Sequence, residues 1–350
     1  MIKEQELKVV LTRMYKLGVG KEAIQALYGY MKKGKLEDLI AVNPNFIAVR
    51  CGFNKEEMLN ILITGLVESL FEMLWDTHCP HCKNVANHYK HFGAVEPREY
   101  CETCHVHFDA EADQNITINV SLHPNLFSGP VPDVPNVRHV DDRVQPVTAL
   151  ELLGIPTFRE HFTQEIPELK HSVKIRSVTV MFTDLLHSTA LYNKVGDLNA
   201  YSLVSEHFET SFSTILSNSG GIIKTIGDAV MAVFRQPLPA LQTALLLQER
   251  INTLFSGKKY PGGYGLKVGL SQGTALIVNM NEQVDLFGAT INLGARVVNL
   301  SDAHSVAITR TVYDDPTIKD FLKSEKLQVR ASHEQLKGIP GLKAIYLVSR

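Results

Sequence analysis

The sequence predicts an α+β protein in which a helical region and a small cysteine-rich module precede a larger domain. Apolar residues recur at helical spacing near the N-terminus, and two C-x-x-C pairs follow them. From residue 172 onward, β-branched runs alternate with helical stretches. We therefore divide the chain into a helical region (1–76), a zinc-ribbon-like module (77–133), a linker (134–171) and a C-terminal domain (172–350).

Length and composition exclude several classes of protein. A chain of 350 residues with 45% hydrophobic residues is long enough for two or three domains with real cores. The formal net charge of −2 gives no overall basic field, so nucleic acid is not an expected partner. The most apolar stretch, residues 59–75, is interrupted by Glu68 and Glu72, and the N-terminus has no signal-peptide pattern. We expect a cytoplasmic protein without membrane association.

The first region carries helix signals in KEAIQALYGYMKK and in NKEEMLNILITGLVESLFEMLW. Asn54, with Glu57 three residues later, is a candidate N-cap of the second helix. Several short helices followed by the extended LFEMLWD are compatible with a winged-helix-like fold. Because basic residues alternate with acidic ones here, we favour a regulatory module that takes a protein or ligand regulator over a DNA-binding one.

The second region contains two C-x-x-C pairs whose separation matches that of two-knuckle zinc sites. Four thiolates complete a closed tetrahedral shell with no open position for chemistry, which predicts one structural Zn²⁺. Neighbouring histidines could replace a cysteine, but with four thiolates available we assign the ligands to Cys79, Cys82, Cys101 and Cys104.

The C-terminal domain reads as a strand, a helical stretch, a hairpin, a second helix, two strands, a third helix and late strands. This order predicts a ferredoxin-like sandwich with helices on one face of an antiparallel sheet. The segments GLKVGLS and TALIVNM are predicted as two separate strands.

Two carboxylates fall at strand ends in this plan. Asp184 ends VTVMFTD, and Asp228 lies at the tip of the hairpin IIKTIGDAVMAVF, beside Gly227. Either one alone is readily explained as a turn residue. Because the core order makes the two strands neighbours, we expect the carboxylates to converge, where they can ligate two Mg²⁺ or Mn²⁺ ions that bind a nucleotide's phosphates.

Four segments in order, FTDLLHSTAL, IIKTIGDAVMAVF, VDLFGATINLGAR and LKGIPGLKAIYLV, resemble the catalytic domain of class III nucleotidyl cyclases. The resemblance covers residues 172–350, and the zinc-ribbon-like region is similar to one in some bacterial cyclases. It implies that the ribose 3′-hydroxyl of a nucleoside triphosphate attacks the α-phosphorus in line and that pyrophosphate leaves.

The resemblance also implies roles for single residues. Asp184 and Asp228, with the backbone carbonyl of Leu185, would hold two Mg²⁺ or Mn²⁺ ions per active site. Asn292 would orient the ribose, and Arg296 would stabilise charge on the transferring phosphate. The two lie four residues apart, which places them on one face of a helix.

Other matching residues would contact the triphosphate. Lys337 matches the lysine that contacts the terminal phosphates, and Lys343 is the second choice. The loop of His187, Ser188 and Thr189 would cradle the triphosphate with its amides. The family usually has a small residue, often glycine, where this chain has His187, so this side chain either adds a phosphate contact or narrows the pocket.

Lys224 and Asp285 match the positions that read the base. Adenine offers an acceptor at N1 and a donor at its amino group, so a lysine donor and a carboxylate acceptor complement it. This favours ATP as the substrate and an adenylyl cyclase as the activity. A pyrimidine or guanylyl cyclase on the same scaffold is the alternative enzyme.

In the resembling family, the metal-binding aspartates and the Asn/Arg pair meet across two catalytic domains. This chain has all of them in one domain, which implies a head-to-tail homodimer with two equivalent sites. From a different class, the chain could be a catalytically silent nucleotide-binding sensor or interaction protein. Silence usually shows as loss of one of these residues, and none is lost here.

Overall fold

The computed structural model describes residues 2–131, 144–165, 167, 172–255 and 265–350. The chain divides into two compact units. Unit one comprises Met1–Leu152 and Thr157–Val173, and unit two comprises Leu153–Pro156 and Lys174–Arg350. The predicted α+β class is confirmed in the described residues.

Unit one opens with four helices: α1 (Glu4–Lys16), α2 (Lys21–Lys33), α3 (Pro44–Cys51) and α4 (Lys55–Val67). The start of α4 is the predicted cap. The Asn54 side chain accepts from the Glu57 backbone N–H at 2.9 Å, and the Glu57 carboxylate accepts from the Asn54 N–H at 3.0 Å. This reciprocal capping box satisfies two of the amides that a helix start leaves without partners.

Five strands follow: β1 (Phe71–His78), β2 (Val85–Tyr89), β3 (Arg98–Cys101), β4 (Val106–Asp109) and β5 (Ile116–Leu122). They form an antiparallel sheet in the order β2-β1-β5 and a separate β3-β4 hairpin. The extended segment LFEMLWD therefore lies in and around β1, and the helix before it ends at Val67. The winged-helix-like arrangement stays a prediction.

Part of the predicted linker is folded, so the linker assignment over 134–171 is wrong for that part. Residues in this stretch form α5 (Ala149–Leu153), α6 (Pro156–His161) and a 3₁₀ turn (Thr163–Glu165). Leu150 and Phe158 are buried. The prolines of this stretch suggested a linker. However, proline is well suited to the first position of a helix, and Pro156 is the first residue of α6. Residues 134–143, 166 and 168–171 lie outside the described residues.

The 3₁₀ turn is fixed by the buried carboxylate of Glu165, which is 1% exposed. It accepts from Trp75 Nε1 at 2.7 Å and from the Phe92 backbone N–H at 2.6 Å, and it lies 3.1 Å from His91 Nδ1. The Trp75 ring packs edge-on against Phe92 and Phe158. One carboxylate thus joins β1, the turn after β2 and the end of this segment within unit one.

Unit two contains one large sheet with helices on it. Its elements are β6 (Val173–Leu185), α7 (Ser188–Val195), α8 (Asp197–Ser217), β7 (Gly220–Ile226), β8 (Ala229–Phe234), α9 (Pro237–Phe255), β9 (Leu266–Met280), β10 (Gln283–Phe287), α10 (Ala289–Val297), β11 (Ser305–Thr309), α11 (Arg310–Tyr313), α12 (Pro316–Ser324), β12 (Gln328–Gln335) and β13 (Leu342–Ser349). The strand order is β12-β13-β11-β9-β6-β8-β7, and β10 pairs with β9.

Two details of the predicted sheet are wrong. The segments GLKVGLS and TALIVNM form one continuous strand, β9. The sheet is mixed and not wholly antiparallel, since β11 runs parallel to β9. The helix α10 lies between these two strands in sequence and provides the crossover that parallel neighbours require.

Helices also cover both faces, where one face was expected. Val306 and Ile308 of β11 belong to the main core with residues of α9 and α12, whereas Ala307 belongs to a smaller core with Val297 of α10. Successive residues of a strand point to opposite faces, so α10 packs on the face opposite α9 and α12.

Candidate functional site

Asp184 and Asp228 lie at the same end of two neighbouring strands. The antiparallel register of β6 and β8 pairs Phe182 with Met231, and the Thr183 hydroxyl accepts from the Val230 backbone N–H at 3.1 Å. Continued by two residues from Phe182, this register sets Asp184 opposite Ala229, the residue that follows Asp228. The turn is tight because Gly227 adopts a φ of 62°.

The two carboxylates have different partners. Asp184 forms an ion pair with Lys267 of β9, the strand on the other side of β6. Asp228 Oδ2 is buried and has no hydrogen-bond partner among the described residues. Divalent Mg²⁺ and Mn²⁺ prefer carboxylate and carbonyl oxygens, and a buried carboxylate oxygen without a donor is an atom that a cation would satisfy. The donor set at this edge therefore fits such a metal.

Lys267 is a residue that the sequence analysis missed. A single lysine in an apolar strand carries no signal until the position of β9 beside β6 is known. Its side chain is 16% exposed, so its ammonium group is largely buried next to Asp184.

Tyr192 of α7 is a second residue without a sequence signal. Burial, followed by the negative charge of Asp228 and, more weakly, that of Asp184, raises the pKa of the Tyr192 phenol to about 12. The phenol is therefore a neutral group that lies close to both carboxylates. Its hydroxyl oxygen is buried.

Lys224 of β7 and Asp285 of β10 are in direct contact, with Nζ and Oδ2 2.5 Å apart. Asp285 is only 7% exposed, and its other oxygen accepts from the Leu286 backbone N–H at 2.8 Å. The side chain of Lys224 is 38% exposed. A buried acceptor thus lies beside a more exposed donor, although the base-reading role of the pair stays a prediction.

Asn292 and Arg296 are both exposed on α10. Between them, Gly294 faces the sheet so closely that a Cβ there would lie 2.9 Å from the Ser271 hydroxyl and 3.0 Å from the Phe182 ring. Glycine thus permits the close approach of α10 to the sheet. Arg296 makes no ion pair within the described part of the chain, so its guanidinium is available to a ligand.

Lys337 is exposed in the turn between β12 and β13, and Lys343 is half-buried in β13. His187 precedes α7 with a φ of 58°, the left-handed conformation that glycine adopts without strain. Ser188 begins α7, and Thr189 follows it with a side chain that lies outside the described residues. The conformation of His187 gives a physical reason why glycine suits this position.

Among the described residues, no hydrogen bond or ion pair joins the Asp184 and Asp228 group to Asn292 or Arg296. The structure brings Asp184 to Lys267 and Lys224 to Asp285, as two separate pairs.

The four cysteines converge in unit one as predicted, and their Sγ atoms all lie within 4.8 Å of one another. The closest pairs are Cys79 with Cys104 at 3.5 Å and Cys82 with Cys101 at 3.6 Å. A tetrahedral zinc with bonds of about 2.3 Å places its sulfurs roughly 3.8 Å apart. The cluster therefore fits one zinc ion.

Both cysteine pairs use the same turn. In each pair, the residue that follows the second cysteine is left-handed, Lys83 at φ 61° and His105 at φ 56°. Its N–H donates to the carbonyl of the first cysteine, at 2.9 Å for Cys79 and 2.8 Å for Cys101. Such turns aim two thiols at one point.

The backbone around Cys101 favours the thiolate that a metal needs. Burial raises the pKa of this thiol, but hydrogen bonds from the backbone N–H groups of Cys104 and Thr103, together with those from the Cys104 and Cys82 side chains, lower the pKa to about 6. Burial and the hydrogen bonds of the neighbouring cysteines raise the pKa of Cys104 to about 12, and burial raises the pKa of Cys51, outside the cluster, to about 11.

Comparison with known proteins gives one family match in each unit. A family model described as Adenylate and Guanylate cyclase catalytic domain matches residues 171–348, and a model for a family of unknown function matches residues 4–129. An adenylate cyclase of Streptomyces coelicolor is 31% identical over 134 residues, which are 38% of this chain and 32% of that protein. A pH-sensitive adenylate cyclase of Mycobacterium tuberculosis is 28% identical over 176 residues, 50% of this chain and 41% of that one.

This chain thus spans less than half the length of either curated relative. Among solved structures, the adenylyl cyclase CyaB from P. aeruginosa is 18% identical, with a TM-score of 0.46 over 51% of this chain and 96% of that chain. Within the described residues, none of the helices combines the length and the apolar composition that crossing a membrane requires.

Proposed function

Because the chain belongs to the family of adenylate and guanylate cyclase catalytic domains, we propose that it is an adenylyl cyclase that converts ATP to 3′,5′-cyclic AMP and pyrophosphate. The observation that carries the choice of ATP is the contact between Lys224 and Asp285. The names of the two curated relatives agree with this choice.

Base choice follows from the hydrogen-bonding groups of this pair. The Asp285 carboxylate can accept from the 6-amino group of adenine, and the Lys224 ammonium can donate to N1. Guanine presents a donor at N1 and an acceptor at O6, which would oppose each partner. Since Asp285 is buried and held by the Leu286 N–H, it cannot easily turn away from guanine, whose O6 would bring a second acceptor against the carboxylate.

Asp184 and Asp228 would hold two Mg²⁺ or Mn²⁺ ions, with the backbone carbonyl of Leu185 as a further oxygen ligand. When bound, such ions lower the pKa of the ribose 3′-hydroxyl and neutralise charge on the triphosphate. Lys267 balances the charge of Asp184, because it lies against that carboxylate. Were a cation held by Asp184, the Lys267 ammonium would be able to contact a phosphate oxygen instead.

The remaining residues position the substrate and stabilise charge. Asn292 hydrogen-bonds the ribose and so fixes the 3′-oxygen in line with the α-phosphorus. Arg296 donates to the oxygens of the α-phosphate as charge develops there, a role for which its exposed guanidinium is free. Pyrophosphate is the leaving group.

The terminal phosphates meet a second group of residues. Lys337, exposed in its turn, contacts the terminal phosphates, and Lys343 in the following strand is the alternative. The amides of His187, Ser188 and Thr189 face the triphosphate at the start of α7.

We further propose a head-to-tail homodimer with two equivalent sites. The support is that one domain carries both the metal-binding aspartates and the Asn/Arg pair, which meet across two domains in the resembling family. A second copy would supply Asn292 and Arg296 to the aspartates of the first. The zinc module and the helices of unit one would carry the regulatory input, from a protein or a ligand.

The test is incubation of the purified protein with each of the four ribonucleoside triphosphates and Mn²⁺, with cyclic products identified by mass. We expect cyclic AMP as the main product. No cyclic product from any triphosphate would contradict the enzymatic function, and a different cyclic nucleotide as the main product would contradict the base assignment.

A further inference from the structure

His207 of α8 is a fully buried histidine that lies directly behind the turn carrying Asp228. Its Nε2 lies 3.1 Å from the backbone carbonyl oxygen of Asp228. Its Nδ1 lies 3.4 Å from the hydroxyl of Ser211, one helical turn further along α8. Both ring nitrogens thus have polar partners, as a buried imidazole requires.

The partners determine which nitrogen carries the proton. A carbonyl oxygen only accepts, so Nε2 bears the hydrogen and donates it to Asp228. Nδ1 then accepts from the Ser211 hydroxyl, which fixes one neutral tautomer.

The turn at Asp228 is therefore held from two sides. On the strand side, the Thr183 hydroxyl accepts from the Val230 N–H, two residues after Asp228. On the helix side, His207 holds the carbonyl of Asp228 itself. The backbone is fixed on both sides, and the buried Oδ2 of Asp228 is left without a partner.

We propose that His207 is a positioning residue for the metal site: by holding the Asp228 carbonyl, it keeps the carboxylate aimed so that its unpartnered Oδ2 is available to a divalent cation. This rests on the proposed function, in which Asp228 is a metal ligand. A buried histidine could also serve packing alone. Positioning of the Asp228 carbonyl requires the Nε2–H donor of His207, whereas packing in the core requires only the volume of the side chain.

The experiment compares His207→Leu, which keeps the bulk but removes the donor, with His207→Gln, whose side-chain amide can place an N–H near the position of Nε2. The matched control is Thr214→Val, another fully buried polar group of α8, which bonds Arg250 and not the Asp228 turn. Calorimetry measures the binding of 3′-deoxy-ATP, which lacks the nucleophile, to the full-length protein at a series of fixed free Mn²⁺ concentrations.

For His207→Leu, we expect the free Mn²⁺ needed for half-maximal nucleotide affinity to rise by roughly tenfold or more, as for other partners that orient a metal ligand. His207→Gln should restore most of the wild-type Mn²⁺ dependence, and Thr214→Val should not change it. If His207→Leu does not fold, Ser211→Ala replaces it. Without its Nδ1 partner the ring is less well fixed, so a smaller rise in the same direction is expected.

Two results would overturn the proposal: a folded donor-free variant with wild-type Mn²⁺ dependence, or a His207→Gln protein as impaired as His207→Leu. The variant Asp228→Asn distinguishes failure of the His207 proposal from failure of the proposed function. If Asp228→Asn binds the nucleotide with the wild-type Mn²⁺ dependence, Asp228 is not a metal ligand and the proposed function itself is wrong at this residue.

Discussion

Lys224 and Asp285 are two distant residues that the fold brings into direct contact. Both residues are named by the sequence resemblance, but only the fold places Nζ and Oδ2 2.5 Å apart. β7 and β10 meet although the two residues are separated by 61 positions in the chain. Such a contact follows from sheet topology and not from local sequence.

The first prediction exchanges the hydrogen-bonding groups of this pair. In the double variant Lys224→Glu with Asp285→Ser, a carboxylate can accept from guanine N1 and a hydroxyl can donate to O6. We expect cyclic AMP production to fall by at least about a hundredfold, because mismatched buried polar groups reject a substrate strongly. Cyclic GMP production from GTP should rise, as measured by mass spectrometry of the products.

Lys224→Met is the control for this exchange. It removes the donor without creating an acceptor, so it should lose activity with ATP and gain none with GTP. A double variant that still prefers ATP would contradict the role of the pair in reading the base.

Single residues also show the limit of sequence reasoning. Asn54 and the cysteine pairs were predicted correctly because their signals are local: a cap and two turns. Lys267, Tyr192 and His207 had no such signal, since each acquires its role from a strand or helix distant in sequence.

At the scale of elements, α10 is held against the sheet by the absence of a side chain at Gly294. A Cβ at this position would meet the Ser271 hydroxyl and the Phe182 ring at 2.9 to 3.1 Å, closer than ordinary contact. The helix would have to move outward, and it carries Asn292 and Arg296 on its exposed side.

The second prediction is that Gly294→Ala lowers the rate of cyclisation far more than it lowers stability. A displacement of about 1 Å in groups that position a substrate can cost on the order of a hundredfold in rate. The measurements are kcat and the thermal unfolding midpoint. Ala295→Gly, which loosens the same helix by about 1 kcal/mol without adding an atom at the contact, should retain more activity. Equal losses in the two variants would argue against the positional explanation.

A third prediction concerns the segment that ends in Glu165. Removal of its carboxylate leaves the Trp75 Nε1 and the Phe92 N–H buried without an acceptor, at a cost of about 1–3 kcal/mol each. Glu165→Ala should therefore lower the free energy of unfolding of unit one by about 3 kcal/mol, as followed by the fluorescence of Trp75 in urea. Glu160→Ala, an exposed neighbour in α6, should have little effect. Equal stability of the two variants would mean that the buried carboxylate does not hold this segment.

The corrected elements share a physical cause. Periodicity detected β6 to β8 and α8 to α10, but it divided β9 and treated residues 149–161 as linker. Whether a segment continues as one strand depends on the strands that it pairs with, and β9 pairs with β6, β11 and β10. Likewise, α5 and α6 are short, so their apolar residues give too few repeats for a periodic signal.

At the scale of the whole molecule, the proposed homodimer makes a fourth prediction. Asp184→Ala and Arg296→Ala should each abolish activity alone, because every site in such a homodimer lacks one group. Mixed dimers contain one site with both defects and one intact site. Co-expression of differently tagged chains, followed by tandem purification, should recover up to about half of the wild-type rate.

The control is co-expression of two differently tagged Asp184→Ala chains, which should stay inactive. If the mixed dimer is purified intact and is also inactive, the site is not shared between chains. If either single variant keeps wild-type activity, the corresponding residue does not take part in the reaction.

Zinc removal gives a fifth prediction. Chelation with a strong zinc ligand should release one zinc per chain, measured by atomic absorption, and unfold the β3-β4 hairpin, since an isolated two-stranded hairpin is marginally stable at best. Cys79→Ser should bind zinc much more weakly, whereas Cys51→Ser should bind it normally. A protein purified without zinc that keeps its wild-type unfolding midpoint would contradict a structural site.

The separation of the two C-x-x-C pairs along the chain affects how this module folds during synthesis. The first pair leaves the ribosome well before the second, so the tetrahedral shell closes only once residue 104 has been synthesised and a zinc ion has been captured. If the cluster binds zinc as proposed, folding of this module would draw on the supply of free zinc during translation. A cell short of zinc would then accumulate chains whose N-terminal module is incomplete.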